Sequence, residues 1–295
     1  MPWEIDYALL SFTQLKKSKY YIQEEVNIEI NSVLNLSSYI IDWDKSKLPK
    51  EYFIEKYKNI SKLLIDYNHT TKIFEGDTLY GHLELQRDCI EKHIDYYVGM
   101  CPDMYFSEYL LSYLIEGAKQ IKNKYFVLTP QIHKLWDDTW DEITDPEYID
   151  VPYDKWDKAD VFSIRNHLKN SDKEIALQPT QRSKWAGWFD LYNKAFYEEL
   201  CPIHNDWKGY GPWDFYSLLL TEYIKTQGID FQQYLLEGQT IFEYSVGPLK
   251  DWNNYYKENN LLKIKDVPNQ REIFEGNMQL YLNKGIKLLK NKKVL

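Results

Sequence analysis

Long apolar runs are missing from this sequence: nowhere do the roughly 18 consecutive apolar residues of a membrane-spanning helix occur. The first residues, Met1 to Asp6, are acidic where an export signal is basic and then apolar, so a cytoplasmic chain is expected. Cysteine is sparse and odd in number. The 3 thiols, Cys89, Cys101 and Cys201, have neither metal-ligand spacing nor partners for a disulfide framework, and reduced intracellular thiols are the simplest reading. The 6 histidines show no paired zinc spacing, and no Ser-His or Cys-His nucleophile motif occurs. Neither a P-loop nor a GxGxxG is present. Basic charge is also short: 36 Lys and Arg against 45 Asp and Glu leave a net charge of −9. The one dense basic stretch is Lys287, Lys290, Lys292 and Lys293. It is either an anionic-surface contact or a solvated, frayed helix end, and it makes no duplex-binding footprint.

What is abundant is aromatic. The 26 Tyr, 10 Trp and 12 Phe make 16% of the chain, and many sit beside Asp, Gly or Pro rather than in apolar runs. Such rings combine a flat apolar face with a polar edge, which suits sugar faces and nucleobases as well as half-buried core. With 44% hydrophobic and 27% charged residues the composition is globular, and 295 residues fit one large α/β domain or two smaller ones.

Along the chain, strand and helix patterns alternate. Tyr7 to Phe12 (YALLSF) has the length of a buried strand and turns polar at Thr13. Val26 to Leu36 alternates as a half-buried strand does, and Tyr39 to Asp42 is an apolar run ending in acid. Pro49 opens an amphipathic helix to about residue 66. A strand at Thr71 to Phe74, a helix from Gly81 to His93, and an apolar strand from Asp95 that breaks at Pro102-Asp103 follow. Ser107 caps a helix to Ile121, and Lys124 to Leu128 reads as another strand. Alternation of this kind predicts a doubly wound, mostly parallel central sheet flanked by helices. Residues 137–183, dense in Asp and Glu among Trp and Pro, read as an irregular acidic insertion. Helices are expected at Trp213 to Ile224 and Asn277 to Leu289.

Ligands of doubly wound sheets bind beyond the carboxyl ends of the strands, so Asp103, at a strand break, is a candidate ligand for a divalent cation. It is equally a helix cap. The run Trp207 to Asp214 (WKGYGPWD) has glycines, Gly211 among them, that permit close backbone approach. Its acid, Asp214, opens a helix, as a general base facing a pocket or as a cap. Trp185 to Phe189 (WAGWF) offers Trp188 as a sugar-stacking wall or as a buried turn. Asp42 and Asp44 follow an apolar run and are placed to accept from a base or ribose hydroxyl. Arg87, in the helix from Gly81, is a candidate phosphate contact or a surface residue.

The order of these features resembles the family 2-like glycosyltransferases of the GT-A fold, over roughly residues 5–245. That family ends a strand in Asp-any-Asp, whose last acid binds the cation; here Cys101-Pro102-Asp103 keeps only that acid. Its acceptor segment ends close to Gly-any-any-Glu-Asp, and Gly211 to Asp214 (GPWD) aligns Asp214 with the base. The resemblance implies a nucleotide-sugar donor, a UDP-sugar first, with Mg²⁺ or Mn²⁺ on its diphosphate. It implies donor contacts at Thr13, Asp42, Asp44, Arg87 and Asp103, and acceptor contacts at Gln131, Trp136, Trp188 and Gly211. The first two of these acceptor contacts, Gln131 and Trp136, come from the segment Phe126 to Trp136. A later His ligand is common in the family, none follows His204, and Glu243 is the substitute in reach.

These readings divide the chain into a GT-A-like domain at 1–245 and a helical extension at 246–295, with a donor half to residue 128 and an acceptor half from 129. The acceptor is a glycan or small saccharide by default. The Lys- and Asn-rich composition suits a phage-like, AT-rich coding source and keeps a hydroxylated DNA base open, against which the low basicity weighs. Two competing classes stand beside the enzyme: a binding descendant without catalysis, and a structural interaction protein whose aromatics form an interface.

Overall fold

The computed structural model describes residues 4–18, 28–36, 43–65, 68–75, 80–102, 104–134, 175–180, 189–200, 213–243, 258 and 270–295, and the account below concerns these. The chain opens with helix α1 (Glu4–Lys17) where a first strand is expected. Its buried residues explain the difference. Ile5, Ala8, Phe12 and Leu15 recur at three- and four-residue spacing, so the six apolar-rich residues from Tyr7 are one turn and a half of an amphipathic helix.

Strand β1 (Glu29–Asn35), helix α2 (Lys50–Ser61) and strand β2 (Asn68–Phe74) form a βαβ unit. The two strands pair in parallel, Glu29 with Asn68 through Asn35 with Phe74. On one face Ile30 and Leu34 join Phe53, Tyr57, Ile60 and the α1 residues in a core. Helix α3 (Tyr80–Glu91) is tied to this pair by charge, with Lys72 Nζ 2.8 Å from Asp88 and Lys92 bonded to Glu29.

The remaining strands make a six-stranded sheet. They are β3 (Tyr96–Met100), β4 (Met104–Tyr105), β5 (Tyr125–Lys134), β6 (Ala176–Pro179), β7 (Phe189–Asn193) and β8 (Phe231–Glu243). Its order is β3-β7-β5-β8-β4, with β6 also on β8. Only β5 and β8 pair in parallel; β3-β7, β5-β7, β4-β8 and β6-β8 are antiparallel. The protein is therefore mixed α/β, and the expectation of a mostly parallel sheet is corrected. The physical reason lies in two strands that the sequence pattern did not separate, β7 and β6. Each inserts an antiparallel partner, and β6 falls inside the segment read as irregular, the rest of which (137–174) lies outside the described residues along with 181–183.

Alternation along the strands buries both faces of this sheet. Phe126, Leu128, Phe189, Leu191 and Leu236 point into the core shared with α1, α2 and helix α4 (Leu110–Gln120). Tyr125, Val127, Tyr192 and Phe231 point into a second core with helices α5 (Trp213–Thr226) and α6 (Gln270–Asn291), through Leu220, Ile224, Tyr281 and Leu289. Two-sided burial explains the apolar runs in β5 and β7.

Candidate active site at the carboxyl ends of the strands

Strands β3, β5 and β8 all run in one direction, so their carboxyl ends share one end of the sheet. Strands β3 and β4 lie at opposite edges, four strand spacings apart. In a flat sheet that is about 19 Å. Yet Met100 and Met104 are joined by a link that spans at most about 14 Å fully extended. The sheet must therefore curl, so that the link from Met100 to Met104 can reach from one edge to the other. Met104 pairs with Glu243 of β8, and Glu243 with Lys134 of β5. Position 243 is thus brought beside the strand break that carries Asp103, although the two are far apart in sequence.

Helix α1 holds the segment around this break. Gln14 donates from Nε2 to the Met104 carbonyl at 2.9 Å, and its Oε1 accepts from the Phe106 amide at 2.7 Å. Ser11 Oγ donates to the Pro102 carbonyl. Both side chains are buried, and both belong to the helical face that the strand reading concealed. Thr13, expected at the donor, lies on the same helix, and its hydroxyl donates to the Leu9 carbonyl at 2.7 Å. What is corrected is the strand expected before it, since Thr13 lies within a helix, where its hydroxyl closes a local i to i−4 bond.

Beneath the strand ends sits a buried polar rung. Thr129 Oγ1 of β5 donates to Asp190 Oδ1 of β7 at 2.8 Å, and Gln233 Nε2 of β8 donates to Thr129 Oγ1 at 2.9 Å. Tyr192 donates its hydroxyl to Asp190 Oδ2 at 3.2 Å. Asp190 and Gln233 are 0% and 1% exposed, Thr129 4%. Asp190 is in register with Gly99 of β3, so the level of the rung reaches across four strands. A carboxylate, a hydroxyl and an amide in a sheet interior are tolerated because each has a hydrogen-bond partner.

Above this level β8 bulges. Pro130 pairs with Leu236 and the next residue, Gln131, with Thr240, so Glu237, Gly238 and Gln239 are extra. Gly238 has φ +76°, a left-handed conformation open to glycine at little cost. Helix α5 covers the same side. It stops in a Schellman arrangement, with Ile229 N bonded to the Ile224 carbonyl, Gly228 N to that of Lys225, and φ +76° at Gly228. The chain then turns back into β8. With Ile224 beside Phe231 in the second core, a rise of about 1.5 Å per helical residue and 3.3 Å per strand residue sets Ser217 about level with Gln233 and Tyr234. On the same count position 214 stands about level with Leu236, next to the bulge. Positions 214, 217, 221 and 224 share one helix face, and Ser217, Thr221 and Ile224 on it are buried.

The expected site residues fall into three groups. Position 214 lies on α5 and Gln131 on β5. Arg87 lies on α3, its Nη1 2.7 Å from Glu84 Oε1, and Asp44 is an exposed turn residue after Trp43. Asp42, Asp103, Trp136, Trp188 and Gly211 lie outside the described residues. Among the described residues no group of three His, Cys, Asp or Glu side chains is placed to hold a metal ion, and no helix is long and apolar enough to cross a membrane. Asp190, Thr129, Gln233 and Gln14 were missed. An acid inside an apolar strand (Phe189 to Tyr192, FDLY) was the available signal for the first of them.

Comparison with protein-family models and with curated proteins finds no match for this chain.

Proposed function

We propose that the chain is a glycosyltransferase that moves a sugar from a nucleotide-sugar donor, a UDP-sugar first, to an acceptor hydroxyl with inversion. One observation carries the reading: Met104, next to Asp103 in the chain, pairs with Glu243 at the shared carboxyl end of β3, β5 and β8. Two carboxylate-bearing positions beside an open strand end suit a hard divalent cation that keeps several waters and bridges phosphates. Mg²⁺ or Mn²⁺ is the expected ion, with Asp103 as its main ligand and Glu243 as its second. The parallel β1-α2-β2 unit ahead of this sheet supports a GT-A-type assignment, as the half that takes the nucleotide. Arg87, Asp42 and Asp44 are the donor contacts on that side.

In the proposed reaction Asp214 takes the proton of the acceptor hydroxyl. The acceptor oxygen bonds to the anomeric carbon as that carbon's bond to the diphosphate breaks, and the electron pair leaves with UDP. A cation held by Asp103 and Glu243 would offset the charge that develops on the leaving phosphate. Gln131, Trp136, Trp188 and Gly211 orient the acceptor, a glycan or small saccharide.

The test is UDP release from UDP-glucose with Mn²⁺, beside the melting shift caused by UDP. Asp103→Asn is expected to abolish both release and the Mn²⁺-dependent shift. Asp214→Asn is expected to abolish release and to keep the shift. A wild-type protein that UDP and Mn²⁺ leave unshifted, and that releases no UDP from any sugar nucleotide tried, sinks the proposal. A shift without release identifies a binding protein instead.

A further inference from the structure

The buried rung of Asp190, Thr129 and Gln233 has a place in the transfer reaction that the strand-end residues do not fill. We infer that Asp190 is a positioning residue: through Thr129 and Gln233 it fixes β5 and β8 where they carry Gln131 and the Gly238 bulge. This inference rests on the transferase reading given above.

Backbone ladders alone leave this region under-determined. The β5-β8 register breaks between Pro130 and Gln131, and Pro130 has no amide hydrogen to give to a ladder. The β5-β7 pairing extends only over Val127 with Tyr192 and Leu128 with Leu191, ending before Thr129. From Thr129 onward the link from β7 to β5 is therefore made by side chains. Asp190 Oδ1 takes the Thr129 hydroxyl at 2.8 Å, and the same hydroxyl oxygen takes Gln233 Nε2 at 2.9 Å. The direction of donation is set throughout. Gln233 donates, so Thr129 is free to donate onward, and a carboxylate is the group in the chain that accepts from both Thr129 and Tyr192.

Asp190 pairs with Gly99, the last but one residue of β3 before the link to Met104. Thr129 is two positions before Gln131, and Gln233 lies on β8 before the bulge. A Cβ on Gly99 would meet the Tyr97 hydroxyl at 3.4 Å and the Tyr192 ring at 3.5 Å, ordinary van der Waals contact, so both rings lie against the strand beside Asp190.

Three variants test this. Asp190→Asn keeps the shape and removes the charge, Thr129→Val removes the hydroxyl, and Thr129→Ser restores it. Each is examined for UDP release from UDP-glucose with Mn²⁺, for the UDP melting shift, and for amide hydrogen exchange. D190N is expected to stay folded, to keep the UDP shift, and to release UDP at least tenfold more slowly. T129V is expected to match it and T129S to recover to within threefold of wild type. Exchange over residues 129–134 is expected to quicken at least tenfold in D190N, with β1 and β2 unchanged. A folded D190N that turns over at the wild-type rate overturns the inference. So does a T129S as slow as T129V, or unchanged exchange over residues 129–134. If D190N does not fold, T129V against T129S decides alone. A wild type without UDP shift or release defeats the transferase reading and, with it, the role of Asp190 in turnover.

Discussion

Replacing Gln14 by leucine removes the side-chain amide that stands in for a neighbouring strand along β4. Strand β4 pairs with β8 on one side only, and on the other side the Met104 carbonyl and the Phe106 amide are met by the two ends of the Gln14 side chain. Met104 and Phe106 are 0% and 3% exposed, so water does not replace the lost partner. Each orphaned buried group costs about 1 to 3 kcal/mol. After partial relaxation the loss for Gln14→Leu is expected at roughly 2 to 5 kcal/mol, or about 10 °C in melting temperature for a domain of this size. Urea unfolding followed by far-UV circular dichroism measures it. Gln14→Glu is the sharper companion, because its carboxylate still accepts from Phe106 but sets a second oxygen against the Met104 carbonyl. Its deficit is expected to shrink as the pH falls and the carboxyl regains a proton to donate. An unfolding midpoint for Q14L within about 0.5 kcal/mol of wild type, at unchanged slope, refutes the bracing role.

Two further predictions concern titration. His69 Nε2 lies 3.0 Å from Ser32 Oγ and 3.1 Å from Thr71 Oγ1, and burial lowers its pKa below 6.5, so the neutral ring is favoured in the fold. The unfolded chain then takes the proton first: this contribution to stability is present above pH 6.5 and is lost as the pH falls below it. The wild type is therefore expected to lose more stability between pH 7.5 and 5.5 than His69→Gln, by urea midpoint; equal losses refute it. Cys89 is pushed up to about 12, first by burial and then by Asp88 and Glu29 beside it. At pH 8 that leaves about one thiolate in ten thousand, so labelling of Cys89 by a disulfide reagent is expected to be at least a hundredfold slower in the native protein than in urea.

How much was legible follows from what each pattern depends on. The βαβ unit, the helix after Pro49 and the break at residues 101–103 depend on local periodicity and on proline, and they are where the pattern set them. Helix α1 was not, because a six-residue window from Tyr7 is too short to separate a helical from a strand repeat; the phase emerges only when Ile5 and Leu15 are counted. Strand direction was inferred from alternation with helices, and the antiparallel β7 entered without a flanking helix pattern to announce it. Of the site, the acid at the strand break was visible as chemistry. The pairing of the next residue, Met104, with Glu243 was not, because it joins segments far apart in sequence. Asp190 was passed over because a charged residue inside an apolar strand is hard to weigh until its partners on β5 are known.

The bonds from α1 to residues 102–106 span sequence separations of 90 to 92 residues. During synthesis at about 5 to 20 residues per second, that interval corresponds to roughly 5 to 18 seconds. Throughout it Ser11 and Gln14 await residues 102–106, although Phe12 already has Tyr57 of α2 to pack against. The order of translation thus lets α1 settle on α2 by its apolar stripe first, and leaves the two polar side chains that hold residues 102–106 to be satisfied last.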